Sequence, residues 1–195
     1  IAFYVAIIST IALILYIFWY SHLERGESKI RLGSSLPPFT LGTDCGRAIS
    51  SEQFLGKPTI LLFFRGNWCP LCMAQIKEVA EQYRSIVERG ATIALISPQS
   101  FKHTLSLAQK FDVPLKFYVD RDFTAANALG ITAKFGTPMG LQTLGYTSDT
   151  VLPTVIITDE KGKVIFFDET DNYRIRPEPK TFLNILDKLE REKVA

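Results

Sequence analysis

Two cysteines separated by two residues lie where a buried-strand pattern gives way to a helical pattern. The β-branched and aromatic run Thr59–Phe64 predicts a buried strand, and Arg65-Gly66-Asn67 predicts the turn that ends it. Trp68-Cys69-Pro70-Leu71-Cys72 then opens a segment whose apolar residues recur at helical spacing. A strand, a tight loop and a helix in this order place a thiol at the start of a helix, where it can react.

The spacing of Cys69 and Cys72 is that of a redox-active pair. Pro70 suits the first helical position, because its missing N–H leaves nothing unpaired there. The free N–H groups and the positive end of the helix dipole favour a Cys69 thiolate, so we expect its pKa to fall below the free value of about 8.5. One helical turn separates the two Cα atoms by roughly 5 Å, within disulfide range. We assign Cys69 as the nucleophile and Cys72, which continues the apolar stripe, as the more buried resolving thiol.

Three other uses of the pair must be weighed. A structural zinc site needs four ligands, and the other candidates, Cys45, His22 and His103, stand at no recognised spacing. Haem attachment requires histidine after the second cysteine, where this chain has Met73. Two unreactive structural cysteines are the third alternative, because buried cysteine is common. The strand, loop and helix context favours redox chemistry, with no metal and no cofactor expected.

Residues 1–20 form a separate apolar run without any charge. Twenty apolar residues at helical rise cross a bilayer core, and Trp19 and Tyr20 end the run as interface anchors do. A signal-peptide core is usually shorter and ends in small residues. We therefore predict a retained single-pass transmembrane anchor in contact with the lipid bilayer, followed by a linker over residues 21–35.

The charge pattern bears on partners and on orientation. The 22 basic and 20 acidic residues nearly balance and form no basic block, which argues against a nucleic-acid partner. Arg25, Lys29 and Arg31 follow the apolar run and by charge bias favour a cytoplasmic domain. The sequence starts at Ile1 without methionine, so this count covers one side of the run only. We expect the thiol domain to be displayed outside the cytoplasm, in a periplasmic position.

The folded domain is predicted over residues 36–195, starting at Leu36-Pro37-Pro38. A small hairpin with a Gly-rich turn comes first, and apolar strands then alternate with helical segments, a pattern that predicts a sheet covered by helices. Residues 131–150 interrupt this pattern with glycine, proline, serine and threonine. Such a long loop in a compact domain is uncommon and often functional. This insertion is either a lid over the thiol or an inert loop.

The order of strand, CxxC helix, strand, helix, proline-led hairpin and final helix resembles the thioredoxin fold. Finer features resemble the peroxiredoxin-like branch of the AhpC/TSA (redoxin) family over roughly residues 36–190. They are Phe64–Cys72, Ile96-Ser97-Pro98-Gln99, Leu152-Pro153-Thr154 and the tail Tyr173-Arg174-Ile175-Arg176-Pro177-Glu178-Pro179. The resemblance implies an α/β domain whose central mixed sheet is flanked by helices. It also implies a cis proline, at Pro153, facing the cysteine pair.

One residue departs from the family pattern. Typical peroxiredoxins carry threonine or serine three residues before the reactive cysteine, where it orients the peroxide, and this chain has Gly66. A second cysteine three residues after the first is more like thioredoxin. We expect Arg65 to stabilise the Cys69 thiolate by its charge. Trp68 is expected to pack beside the pair and shield it.

These features support three hypotheses. The first is a membrane-anchored thiol–disulfide oxidoreductase, in which Cys69 attacks a protein disulfide and Cys72 resolves the mixed disulfide. The second is a peroxiredoxin-like thiol peroxidase with an antioxidant role, in which Cys69 becomes a sulfenic acid that condenses with Cys72. Both need a thiol electron donor. The third is a non-catalytic accessory subunit of a membrane complex.

Overall fold

In the part of the chain that the structure describes, the fold is built on a seven-stranded mixed sheet, whose strands lie side by side in the order 48–50, 40–43, 116–119, 92–97, 59–63, 154–158 and 164–169. The computed structural model describes residues 1–15, 18, 28–43, 45–169, 172 and 175–194. The strands are β1 (Thr40–Thr43), β2 (Ala48–Ser50), β3 (Thr59–Phe63), β4 (Thr92–Ser97), β5 (Lys116–Val119), β8 (Thr154–Thr158) and β9 (Val164–Glu169). Two short strands, β6 (Thr132–Ala133) and β7 (Thr150–Val151), pair apart from this sheet.

The strand β3 lies in the middle of the sheet, and all five of its residues are buried. It pairs in parallel with β4, Leu62 opposite Leu95, and antiparallel with β8, Leu62 opposite Val155. Because helices cover both faces, such a strand must be apolar along its whole length rather than alternating. This explains why the sequence has a continuous apolar run here. The turn that follows β3 leads to the two cysteines.

Helices cover the two faces of the sheet around two apolar clusters. The helices are α2 (Pro70–Glu81), α3 (Tyr83–Glu88), α4 (Phe101–Ala108), α5 (Thr124–Leu129) and α6 (Pro179–Val194). Successive side chains of a strand point to opposite faces. Leu61 of β3 therefore joins the cluster that contains α5, and Leu62 joins the cluster that contains both cysteines and Phe182 of α6. The thiols thus belong to the core of one face.

The predicted α/β fold, with a mixed sheet, flanking helices and an amino-terminal hairpin, is confirmed. The hairpin is β1–β2, with Leu41 opposite Ile49. The apolar stripe that predicts one helix after the cysteines is divided between α2 and α3, because the backbone leaves the helical region at Gln82.

Packing against the domain starts before residue 36. In the segment 28–35, Ile30 is buried in the core. The Gly33 N–H donates to the Val164 carbonyl, and the Val164 N–H donates to the Ser34 carbonyl, both at 2.8 Å. This part of the predicted linker is therefore held along β9 by these backbone bonds and by the burial of the Ile30 side chain, whereas Leu32 stays exposed.

The apolar amino-terminal run forms the helix α1 (Ala2–Leu15), and none of its side chains is buried. Within the described ranges, no helix is both long enough and apolar enough to span a membrane. The anchor residues Trp19 and Tyr20 and residues 21–27 of the linker lie outside the described residues.

The prediction of a cis peptide bond at Pro153 is wrong. No peptide bond of the described chain is cis, and Leu152–Pro153 is trans. Pro153 is buried in a break between β7 and β8, and its neighbour Leu152 donates its N–H to the Ile131 carbonyl at 2.7 Å. The trans isomer is the lower in free energy for X–Pro bonds in general, and Pro153, which lies outside both ladders, interrupts no strand hydrogen bond.

Candidate active site

Cys69 lies at the amino end of α2, where the turn after β3 meets the helix. Its backbone is extended (φ −91°, ψ 107°), and Pro70 follows at the first helical position. The Cys69 N–H donates to the Gly66 carbonyl at 3.1 Å, and the Cys72 N–H donates to the Cys69 sulfur at 3.4 Å. The sulfur therefore caps the helix, in the place where side-chain oxygens usually accept such a bond.

The two thiols are free in the structure, and both are buried, with 3% of Cys69 and 1% of Cys72 exposed. A hydrogen bond from the Cys72 side chain is the main cause that lowers the pKa of Cys69 to about 6. The Cys72 N–H and the charges of Arg65 and Arg176 assist, and burial opposes them. Burial, followed by the same hydrogen bond, raises the pKa of Cys72 well above its ordinary value. At neutral pH the first sulfur is a thiolate and the second a thiol.

Arg65 is buried, with 7% of the residue exposed, although it lies in the turn after β3. Its guanidinium lies 4.8 Å from the ring centre of Trp68, within the range of a cation–π contact, and donates to the Gly136 carbonyl. The Thr150 hydroxyl donates to the Arg65 carbonyl at 2.9 Å. Trp68 itself packs half-buried against the cluster that contains both cysteines. The structure thus brings Arg65 and Trp68 to the pair.

The insertion 131–150 closes over the turn between β3 and α2. Its ends pair as β6 and β7, and between them the chain forms a short 3-10 helix, Leu141–Leu144. Beyond the Gly136 and Thr150 contacts to Arg65, the Tyr146 hydroxyl donates to Asn67 Oδ1. The Tyr146 ring stacks on His103 of α4, with 4.3 Å between ring centres and 15° between planes. Of the two alternatives for this segment, these contacts favour a cover over the thiol turn.

Gln99 is a site residue to which the sequence assigned no role. It is buried at the end of β4, and its Oε1 accepts the Asn67 N–H at 2.9 Å, while its Nε2 donates to Thr104 Oγ1 at 3.3 Å. The amide therefore fixes the thiol turn from the neighbouring strand. The signal was present in the Ile96-Ser97-Pro98-Gln99 motif, but only the tertiary structure shows which group the glutamine holds.

Arg176 is the second such residue, and it comes from the segment before α6. Its charge acts on both sulfurs, and its Nη1 donates to the Ile175 carbonyl at 2.8 Å. Its Nε and Nη2 are buried and have no hydrogen-bond partner among the residues that the structure describes. The tail motif contained this arginine, whereas Tyr173 and Arg174 of the same motif lie outside the described residues.

The remaining candidates do not join the pair. Cys45 is exposed in the β1–β2 turn, and a hydrogen bond with the Thr43 side chain, 3.1 Å away, lowers its pKa. The β1–β2 turn lies near the amino end of β5, whereas Cys69 follows the carboxyl end of β3. Cys45 and Cys69 therefore lie at opposite ends of the sheet. His22 lies outside the described residues. Over the described part of the chain, no three histidine, cysteine or acidic side chains cluster as metal ligands do.

Comparison with known proteins points to one family. The chain is 30% identical over 117 residues to "Peroxiredoxin Q, chloroplastic" of Sedum lineare, a match that covers 60% of this chain and 63% of that protein. It is 26% identical over 135 residues to "Putative peroxiredoxin bcp" of Coxiella burnetii, with 69% of this chain and 85% of that protein covered. The matches to peroxiredoxin Q of two Oryza sativa subspecies span 54% of those proteins.

Solved structures share the fold. "Peroxidoxin BcpB from Mycobacterium tuberculosis" superposes with a TM-score of 0.67 at 18% identity, covering 82% of this chain and 97% of that one. "Mycobacterium tuberculosis AhpC" gives a TM-score of 0.65 at 16% identity, covering 85% and 96%. At these identities the likeness shows the fold alone. The sequence profile of the AhpC/TSA family, however, matches residues 32–167, most of the folded domain, and the chain therefore belongs to the AhpC/TSA family.

Proposed function

We propose that this protein is a thiol peroxidase in which Cys69 reduces a hydroperoxide and Cys72 resolves the product. The observation that carries this proposal is a sulfur that favours the thiolate, with a pKa of about 6, yet has only 3% of its residue exposed. A thiolate attacks peroxides and disulfides alike. A small hydroperoxide reaches such a buried sulfur more easily than a protein disulfide does.

The reaction has three steps. The Cys69 thiolate attacks one peroxide oxygen, the O–O bond breaks, and the rest leaves as an alcohol after taking up a proton. Cys72 then attacks the Cys69 sulfenic acid, an S–S bond forms, and water leaves. A thiol electron donor returns the disulfide to two thiols by exchange. Arg65 and the cover formed by residues 131–150 keep the thiolate charge-stabilised and largely away from solvent.

The relatives support this choice over the others. The curated proteins that the chain matches carry peroxiredoxin names, from a plant chloroplast protein to a bacterial one. Those matches span 54–63% of the plant proteins, so the peroxidase activity is our proposal for this chain rather than a transferred fact.

Thiol–disulfide exchange is the second candidate, and two observations favour it. The two cysteines stand one helical turn apart on α2, and Gly66 provides no hydroxyl to orient a peroxide. In this alternative the substrate is a protein disulfide. Both reactions leave the protein with the same Cys69–Cys72 disulfide.

Peroxide consumption by the fully reduced protein separates the two candidates. Because the reactive form is the thiolate, the rate should rise with pH through about 6 and be level above neutrality. At pH 5 it should be about a tenth of the plateau, whereas an ordinary thiol would still gain rate above pH 8. Stopped-flow measurement across this range tests both rate and pH dependence. A plateau rate no faster than that of free cysteine would exclude the peroxidase.

We further propose that residues 1–20 attach the domain to a lipid bilayer, with the domain on the extracytoplasmic side. Support comes from the uncharged apolar run and from α1, whose described side chains all lie exposed rather than packed on the domain. In cells, the protein should stay with membranes after alkaline extraction, and deletion of residues 1–20 should release it. The exposed thiol of Cys45 then shows on which side of the membrane the domain lies. A membrane-impermeant thiol reagent added to intact spheroplasts labels Cys45 only if the domain is outside the cytoplasm.

A further inference from the structure

The guanidinium of Arg176 offers an unused pair of hydrogen-bond donors beside the thiols. Nε–H and one N–H of Nη2 lie on the same side of the planar group and together form the fork that grips an anion through two parallel bonds. Both nitrogens are buried and have no partner among the described residues, while Nη1 is occupied by the Ile175 carbonyl. A buried donor without a partner destabilises the fold, so such a fork needs a reason to persist.

The two arginines of the site act on the two sulfurs to different degrees. On Cys69, the charge of Arg65 acts ahead of that of Arg176. The pKa of Cys72 is lowered by a hydrogen bond to the backbone of Arg65 and by the charge of Arg176. The charge of Arg176 interacts more strongly with Cys72 than with Cys69. A side-chain hydrogen bond with Cys72 adds to that interaction. Cys69, for its part, is already bonded by the Cys72 N–H and side chain.

Cys72 also has the greater need of a cation. It is the more deeply buried thiol, and the thiolate is the form that attacks. Its burial and the neighbouring Cys69 sulfur both disfavour ionisation. A neutral thiol is a weak acceptor, whereas a thiolate can accept both bonds of the fork. The interaction between Arg176 and Cys72, which is weak while that sulfur is a thiol, therefore strengthens once Cys72 loses its proton.

We propose that Arg176 activates Cys72 for the closing step, its fork pairing with the Cys72 thiolate as that sulfur attacks Cys69. In the peroxidase cycle, which rests on the proposed function, the Cys72–Cys69 bond forms, the sulfenic C–S–OH loses its oxygen, and the oxygen leaves as water after protonation. In the exchange reaction, the same attack breaks the bond between Cys69 and the substrate sulfur, which leaves as a thiolate. Among the residues that the structure describes, Arg65 and Arg176 are the cations that act on the pair, and Cys69 is the other titrating group.

The closing step can be measured without any peroxidase activity. Methyl methanethiosulfonate places a methylthio group on Cys69, and attack by Cys72 expels methanethiolate, which mass spectrometry follows as the loss of that group and formation of the disulfide. We expect Arg176→Gln to slow this closing about tenfold or more at neutral pH, because loss of a nearby cation raises a thiol pKa by about one unit or more. The pH at which closing is half-maximal should move upward, and Arg176→Lys should restore part of the rate.

Arg191→Gln is the matched control, since it removes an exposed cation of α6 whose Nε bonds only along its own helix, to the Asp187 carbonyl. It should leave closing unchanged. In parallel, dimedone should trap more Cys69 sulfenic acid in Arg176→Gln than in the parent after one equivalent of hydrogen peroxide. Unchanged closing and pH profile in a folded Arg176→Gln protein would overturn the proposal. If closing slows as expected but peroxide does not react, the peroxidase function fails and the role of Arg176 stands.

Discussion

Cys69→Ser should abolish the reaction with hydroperoxide, lowering its rate on the order of a thousandfold or more, because a serine hydroxyl stays protonated where the thiol ionises. The fold should be retained, since serine is close in size and its oxygen can accept the Cys72 N–H that Cys69 Sγ accepts now. Stopped-flow peroxide consumption by the reduced variant, with circular dichroism to verify folding, gives the result.

Two further cysteine variants complete this experiment. Cys72→Ser should keep a single rapid turnover but accumulate sulfenic acid at Cys69, which dimedone traps, because the resolving sulfur is missing. Cys45→Ser should behave like the parent, since that thiol lies exposed in the β1–β2 turn. Peroxide consumption that survives Cys69→Ser would contradict the assignment of the nucleophile. A biological role that survives loss of both Cys69 and Cys72 would favour the accessory-subunit hypothesis.

Gly66→Thr should destabilise the protein rather than improve it, although it restores the residue type that typical peroxiredoxins carry there. Gly66 has a φ of +150°, which side chains rarely adopt, and a Cβ at this position would lie 2.6 Å from Trp68 Nε1. Strain of this kind costs about 1–3 kcal/mol, and displacement of Trp68 adds to it. Since Trp68 supports Arg65, we also expect a slower peroxide reaction. Urea unfolding and stopped-flow kinetics measure the two effects.

Gly90→Thr is the control for this prediction. Its φ of +73° also favours glycine, but nothing lies within 4 Å of an added Cβ. The excess destabilisation of Gly66→Thr over Gly90→Thr therefore reports the contact with Trp68 together with the greater backbone strain at φ +150°. Equal losses in the two variants, or a faster peroxide reaction in Gly66→Thr, would show that this turn has room for a threonine side chain.

Local patterns in the sequence were enough to predict the strand, the turn and the helix around the cysteines. The continuous apolar run Thr59–Phe64 predicts a central strand, and β3 is buried along its whole length. Pro70 predicts a helix start, and α2 begins there with Cys69 as its cap. The lowered pKa of Cys69 and the deeper burial of Cys72 follow from the same few residues. The strand end and the helix start depend on neighbours within about one helical turn, so the sequence carries them directly.

Contacts between distant segments were beyond the reach of those patterns. The order of the motifs predicts where a proline stands in the chain but not its isomer, and Leu152–Pro153 is trans. The sequence left open whether residues 131–150 cover the site, and the contacts of Tyr146 and Gly136 depend on how that loop returns across the sheet.

The amino-acid sequence by itself determined the arrangement of the two thiols: a cysteine at a helix start, its mate one turn later, and an apolar strand that leads to both. Only the tertiary structure showed that a second cation acts on both sulfurs, because Arg176 stands more than a hundred residues from the cysteines along the chain and reaches them when α6 packs on the sheet. Electrostatic effects depend on distance in space, and chain separation does not reveal that distance.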